Sequence, residues 1–325
     1  MREKLGILTL IGPGLLVAAT GVGAGDLATA SFTGSELGTA ILWAVVVGAA
    51  LKFVLNEGLA RWQLATGETA LEGAITRFGR GVGWVFLAYL LLWSFFVGSA
   101  LMSACGVTLH ALFPVFESAA AGKVVFGVAS SLLGLLLVWR GGFALFEKVM
   151  GVTIGVMFVI VLFTAGRLWP GTGEVLEGLL LPSIPRFDDG GLAWTVALLG
   201  GVGGTVTILC YGYWIREKGR TEADLKLCRL DLAVGYGATA LFGIAMVIIG
   251  STLELSGSGS GLLVALSQKL AWRLCTGRGK GTIDVEGRPY RLYLLALTLL
   301  PMRRPGLQSS ARPPTTWFRP AALAR

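Results

Sequence analysis

Long apolar runs separated by short polar or glycine-rich stretches fill most of the chain. They fall at 6–22, 39–59, 83–108, 123–139, 143–166, 192–214 and 232–253. A helix needs about 20 residues to cross a hydrocarbon core of ~30 Å, so each run is a membrane span by length. A further run, YRLYLLALTLLPM at 290–302, is short for a span. The predicted fold class is therefore an all-α membrane protein of about 7–8 transmembrane helices. Composition agrees: 14% of residues are charged and 54% hydrophobic, against about 25% charged in soluble domains. The start, MREKLGILTLIGPG, is basic and then apolar like a secretory signal. It carries no small-residue cleavage site and further spans follow at once, so it is expected to be retained.

The net charge of +8 does not indicate nucleic acid, because the basic residues sit in short loops rather than in one stripe. Their distribution predicts topology instead. Arg2 and Lys4 precede the first run; Arg61, Arg77 and Arg80 follow the second; Arg140 follows the fourth; and Arg216, Lys218, Arg220, Lys226 and Arg229 follow the sixth. The loops after the first and seventh runs, FTGSELGT and ELSGSGSG, hold neither Lys nor Arg. The expected localisation is a multi-pass protein of the cell (inner) membrane with a cytoplasmic N-terminus. Cys105, Cys210, Cys228 and Cys275 lack CxxC spacing, which supports neither a zinc site nor a disulfide framework. No phosphate-binding Gly-rich loop ending in Lys-Ser/Thr and no HExxH is present, and no enzymatic activity or bound cofactor is expected.

Two spans are interrupted by glycine. TGVGAGDLAT at 20–29 places Gly21, Gly23 and Gly25 ahead of Asp26, and LLGGVGGTVTILCYGYW places Gly200, Gly201, Gly203 and Gly204 ahead of Thr205 and Thr207. Each glycine disfavours helix by roughly 1 kcal/mol relative to Ala. Non-helical backbone at membrane depth survives only where it lines a protein cavity, and an intramembrane acid should face an ion, a pathway or a partner. Asp26 reads either as a cation ligand beside exposed carbonyls or as a cap at a close helix crossing packed by small residues. Two interrupted spans in first and sixth place suggest the halves of an inverted-repeat transporter with its substrate between discontinuous helices.

These stretches resemble the NRAMP family of divalent-metal transporters. GPGLLVAATGVGAGDLAT is similar to the family's first helix, which reads Gly-Pro-Gly, then an Asp-Pro-Gly-Asn break, then Trp-Ala-Thr. LARWQLATGETALEG resembles the end of its second helix through Ala60, Arg61, Thr66, Gly67, Glu68 and Leu71. GGTVTILCYGYW is similar to its sixth-helix Gly-Ala-Thr-Val-Met-Pro-His-Asn. The resemblance spans most of residues 5–255 and implies a LeuT-like inverted-repeat fold whose second repeat is incomplete. The expected organisation is a transmembrane domain over 1–275, with a first repeat over 5–166 and a partial second over 192–275. The remaining 276–325, rich in Arg and Pro, reads as a basic membrane-surface segment or as the product of a shifted reading frame or truncation.

The family's Asp-Pro-Gly-Asn falls on Gly23, Ala24, Gly25 and Asp26, and its Met-Pro-His-Asn on Thr207, Ile208, Leu209 and Cys210. One carboxylate has moved and the thioether is gone. The expected metal site comprises Asp26, backbone carbonyls around Gly23, Ala24, Gly203 and Gly204, the Thr207 hydroxyl and, if it points inward, Cys210. Oxygen donors suit Mg²⁺ and Mn²⁺ better than softer metals, and a site with one carboxylate fits a partly hydrated ion. The implied function is secondary transport of a divalent cation by alternating access. The alternatives are a same-fold carrier of a small organic solute, or an inactive truncated membrane protein. The expected partners are the divalent cation and the lipid bilayer, not nucleic acid.

Other charges near the spans read differently. Glu57 and Arg61 stand at i, i+4, as do Lys52 and Asn56, which predicts either a paired polar face or a cytoplasmic helix end with Lys52 snorkelling. Glu57 is a candidate for gating or proton coupling. His110, the single histidine, is expected to be an outer interfacial residue and not a ligand.

Overall fold

The computed structural model describes residues 24–201 and 206–253. The run at 6–22, Gly21, Gly23, Gly203, Gly204, Cys275, the run at 290–302 and the basic tail lie outside them. Every element among the described residues is helical. Five segments among the described residues are long and apolar enough to cross a membrane: Leu27–Thr66, Arg80–Leu112, Ala119–Arg140, Lys148–Arg167 and Glu222–Ser251.

Helix α1 (Ala24–Leu37) passes through a 3₁₀ turn at Gly38–Ile41 into α2 (Leu42–Thr66). The second predicted span ends at 59, whereas α2 continues for two further turns. The residues there, Leu, Ala, Arg and Gln, are good helix formers, and the helix stops only at Gly67, whose φ of 74° places it in the left-handed region. Helix α3 (Ala70–Phe78) follows behind a reciprocal capping box between Thr69 and Glu72. Helix α4 (Arg80–Leu112) turns into α5 (Ala119–Arg167), where Gly142 (φ 59°, ψ −165°) separates the two predicted spans. Helix α6 (Thr172–Leu180) and a short π turn at Phe187–Gly191 lead to α7 (Leu192–Gly201). Next come α8 (Thr207–Glu217), a 3₁₀ turn at Glu222–Asp224 and α9 (Leu225–Ser251).

The core lies where α1, α2, α5, α7 and α9 meet, around Ile41, Leu42, Val45, Leu198, Phe242 and Met246. Without a hydrophobic force between helices in lipid, small residues drive such contacts by letting backbones approach. Helices α1 and α9 show this directly. A side chain at Gly34 would stand 2.3 Å from the Val247 carbonyl oxygen, and one at Gly250 would stand 2.0 Å from that of Ser31. In contrast, α4 and the first half of α5 expose Trp84, Leu91, Phe95, Phe96, Leu132 and Leu133, as a bilayer-facing surface does.

Polar contacts gather in two groups. In the first, Arg186 pairs with Glu36 and Asp189 at 2.7 and 2.9 Å, and the Trp43 indole donates to the Ser183 carbonyl at 3.0 Å. In the second, the loop after α2 meets the segment from α8 to α9, two stretches whose basic residues predict the same side of the membrane. Arg216 donates to both Glu72 carboxylate oxygens at 2.6 and 3.0 Å, and Gln63 donates to the Gly212 carbonyl at 2.7 Å. Arg220 and Asp231 form a buried pair at 2.8 Å, with the Tyr211 hydroxyl donating to the same carboxylate oxygen at 3.0 Å.

Two predictions follow from this second group. The bonds from Arg216, and then those from the Thr69 backbone and hydroxyl, hold the Glu72 carboxyl down at about 2, from an ordinary 4.5. Because the folded value is depressed, the stabilisation is complete above pH 4.5 and fades as pH falls toward about 2. Glu72→Ala removes a half-exposed ion pair and a cap, an expected loss of about 1 kcal/mol. Thermal unfolding in detergent at pH 7 and pH 3 checks this, the gap between wild type and variant narrowing at the lower pH. Asp231→Ala takes the carboxylate away from a buried guanidinium and should cost about 3–5 kcal/mol. Adding Arg220→Met should recover most of that loss in the same assay.

Candidate functional site

The predicted metal ligands fall partly within the described residues. Ala24 and Asp26 lie in α1, while Gly23, Gly203 and Gly204 are outside the described set. The sixth predicted span, 192–214, is described as two helices, α7 and α8, flanking residues 202–205. Helix α8 has its own N-cap at Val206, whose carbonyl accepts from the Leu209 and Cys210 amides at 3.0 and 3.3 Å. Thr207 is the first residue of α8 and Cys210 lies one turn further on. Both α1 and α2 pack against α7, and α2 also packs against α8. Helix α2 is thus a neighbour of α8, which carries Thr207 and Cys210, and of α7, against which α1 with Ala24 and Asp26 packs.

Cys210 is half-buried and lines a cavity of about 290 Å³ between α3, α4 and α8, together with Thr69, Phe86, Val206 and Tyr213. Cys105 is exposed and Cys228 is buried, both as free thiols. Among the described residues no three His, Cys, Asp or Glu side chains cluster as a metal would need. The His110 ring lies against Gly122 between α4 and α5, its buried Nδ1 without a hydrogen-bond partner.

Helix α2 contributes what the sequence was read as contributing, and more. Glu57 is buried and accepts hydrogen bonds from Arg61, as the i, i+4 spacing predicts, and from Arg229 on α9. Two guanidiniums therefore more than offset its charge, and it cross-links α2 to α9. The reading of Lys52 as a snorkelling residue at a helix end is corrected. It stands ten residues into α2, which at 1.5 Å per residue is about 15 Å of helix. It is only 7% exposed, and its ammonium donates to the Gly200 carbonyl of α7 at 2.7 Å. Asn56 instead donates its amide to the Tyr236 hydroxyl on α9 at 3.1 Å, while its own buried carbonyl oxygen has no hydrogen-bond partner. A lysine at a span centre costs roughly 2.5–3.5 kcal/mol on insertion scales, and that expectation was the available signal for this residue. Tyr236 carried no such signal, since a tyrosine in an apolar run reads as packing.

Comparison with known proteins places this arrangement. The chain is 25% identical over 260 residues to the divalent metal cation transporter MntH of Verminephrobacter eiseniae, covering 75% of this chain and 55% of the relative. It is 26% identical over 268 residues to the MntH of Erwinia tasmaniensis, covering 76% of this chain and 60% of the relative. It thus spans little more than half the length of these curated relatives. Among solved structures, that of a mutant of the Eremococcus coleocola manganese transporter superposes with a TM-score of 0.68 at 19% identity, covering 92% of this chain and 63% of that one. The fold is accordingly the LeuT-like inverted-repeat fold. The profile of natural resistance-associated macrophage protein-like sequences, Nramp, matches residues 14–262, and the chain belongs to that family.

Proposed function

We propose that this chain is a secondary transporter of divalent metal cations, working by alternating access at a site between its first and sixth spans. The observation that carries this reading is the family match over residues 14–262, which takes in both glycine-rich stretches and every predicted ligand. The relatives' names point to a divalent cation, and manganese is named for the superposable protein.

In this reading Asp26 supplies the fixed negative charge. Carbonyls of Gly23, Ala24, Gly203 and Gly204 and the Thr207 hydroxyl supply neutral oxygens. A donor set dominated by oxygen favours Mg²⁺ or Mn²⁺ over softer metals. With a single acid the ion keeps part of its water, as Mg²⁺ readily does. Cys210 would restore some softness to this donor set by pointing inward. Glu57, which cross-links α2 to α9 through Arg229, serves in gating or proton coupling. The protein would sit in the cell (inner) membrane with its N-terminus cytoplasmic.

Uptake of Mn²⁺ into proteoliposomes tests the reading. Asp26→Ala should reduce uptake at least tenfold at equal reconstitution, and unchanged uptake removes the site. Calorimetry with Mg²⁺, Mn²⁺ and amino acids separates a metal carrier from a carrier of small organic solutes, heat being expected with the metals alone.

A further inference from the structure

The cavity of about 290 Å³ between α3, α4 and α8 is walled mainly by apolar side chains, among them Ala70 and Leu71 of α3, Phe86 and Leu90 of α4 and Leu209 of α8. It is at the small end for ligand pockets, which run from about 300 to 1,000 Å³, and with such walls it suits a single hydrocarbon chain. It exists because α3 folds back on α4. Past the turn at Gly79 (φ 89°) the two helices meet where a side chain at Gly83 would stand 3.2 Å from that of Ile75, and the cavity begins one turn further on, at Leu71 and Phe86.

Phe86 and Leu90, both half-buried, stand one turn apart at the edge of the α4 face that is turned to lipid. Val85 and Tyr89 beside them are exposed, as is Tyr213 across the cavity. The cavity is thus continuous with the surface that the bilayer covers, where apolar walls meet acyl chains and not water.

Charge at this corner says where a headgroup would lie. Arg80 opens α4, and Trp84, 71% exposed, follows one turn on; basic residues and amphipathic rings of this kind mark the membrane–water interface. Phe86 and Leu90 lie six and ten residues beyond Arg80, about 9 and 15 Å along the helix, which is acyl-chain depth for a lipid whose phosphate sits at Arg80. Arg216 is paired with Glu72 and Arg77 with Glu68, whereas Arg80 has no ion pair among the described residues. Three arginines against two glutamates leave the corner positive, which attracts anionic lipid.

We propose that an anionic phospholipid binds here, with one acyl chain in the cavity and its phosphate on Arg80. The chain fills the angle between α3 and α4 and rests against α8, so the lipid is a structural partner of this corner.

Native mass spectrometry of the purified full chain, delipidated in detergent and titrated with dioleoyl phosphatidylglycerol or dioleoyl phosphatidylcholine, tests this. Wild type should bind phosphatidylglycerol at least fivefold more tightly than phosphatidylcholine. Ala70→Phe, which fills the cavity, should weaken phosphatidylglycerol binding at least fivefold, and Ala70→Leu stands in should the larger side chain prevent folding. Arg80→Gln should leave phosphatidylcholine binding unchanged and bring phosphatidylglycerol binding down to its level. Equal affinity of wild type for the two lipids overturns the proposal, as does phosphatidylglycerol binding that the Ala70 variants leave unchanged. A dimer that Ala70→Phe dissociates, in place of a lipid adduct, assigns the cavity to a second copy of the chain and likewise overturns it.

Discussion

Inside a bilayer no water is available to a charge or a backbone group, so each must find its partner within the protein. That constraint organises this molecule more than any apolar contact does. Helix α2 carries Lys52, Asn56, Glu57 and Gln63 on buried positions, and their partners lie on other helices: Gly200 on α7, Tyr236 and Arg229 on α9, and Gly212 on α8. One helix is thereby tied to three others. The apolar core defines how closely they pack, and the polar file along α2 defines their register.

The spans were legible because hydropathy and length suffice for a helix in lipid. Their ends were less so. The predicted second span stopped where Arg61 and Gln63 enter, yet α2 runs on to Thr66, since a polar residue does not stop a helix and Gly67 does. The predicted sixth span reads as one run because apolar residues flank its glycines on both sides, and its described parts are α7 and α8, with residues 202–205 outside the description.

The site was legible in outline only. Spacing gave the Glu57–Arg61 pair, because i, i+4 neighbours meet on any helix. It could not give Arg229, which lies 172 residues away in the chain and meets Glu57 only through the packing of α9 on α2. For Lys52 the sequence supplied the residue but not its depth: a span boundary drawn with different ends shifts a lysine from interface to midplane.

The bidentate bond between Arg216 and Glu72 joins the end of α8 to α3, and α3 is separated from α4 by Gly79 alone. The three helices therefore form a linkage with a stiff strut at one joint and a swivel at the other. Any tilt of α8 tugs the amphipathic strut and, through it, the foot of a 33-residue rod. Movement of α8 would reach the lipid-facing flank of the protein without passing through its core.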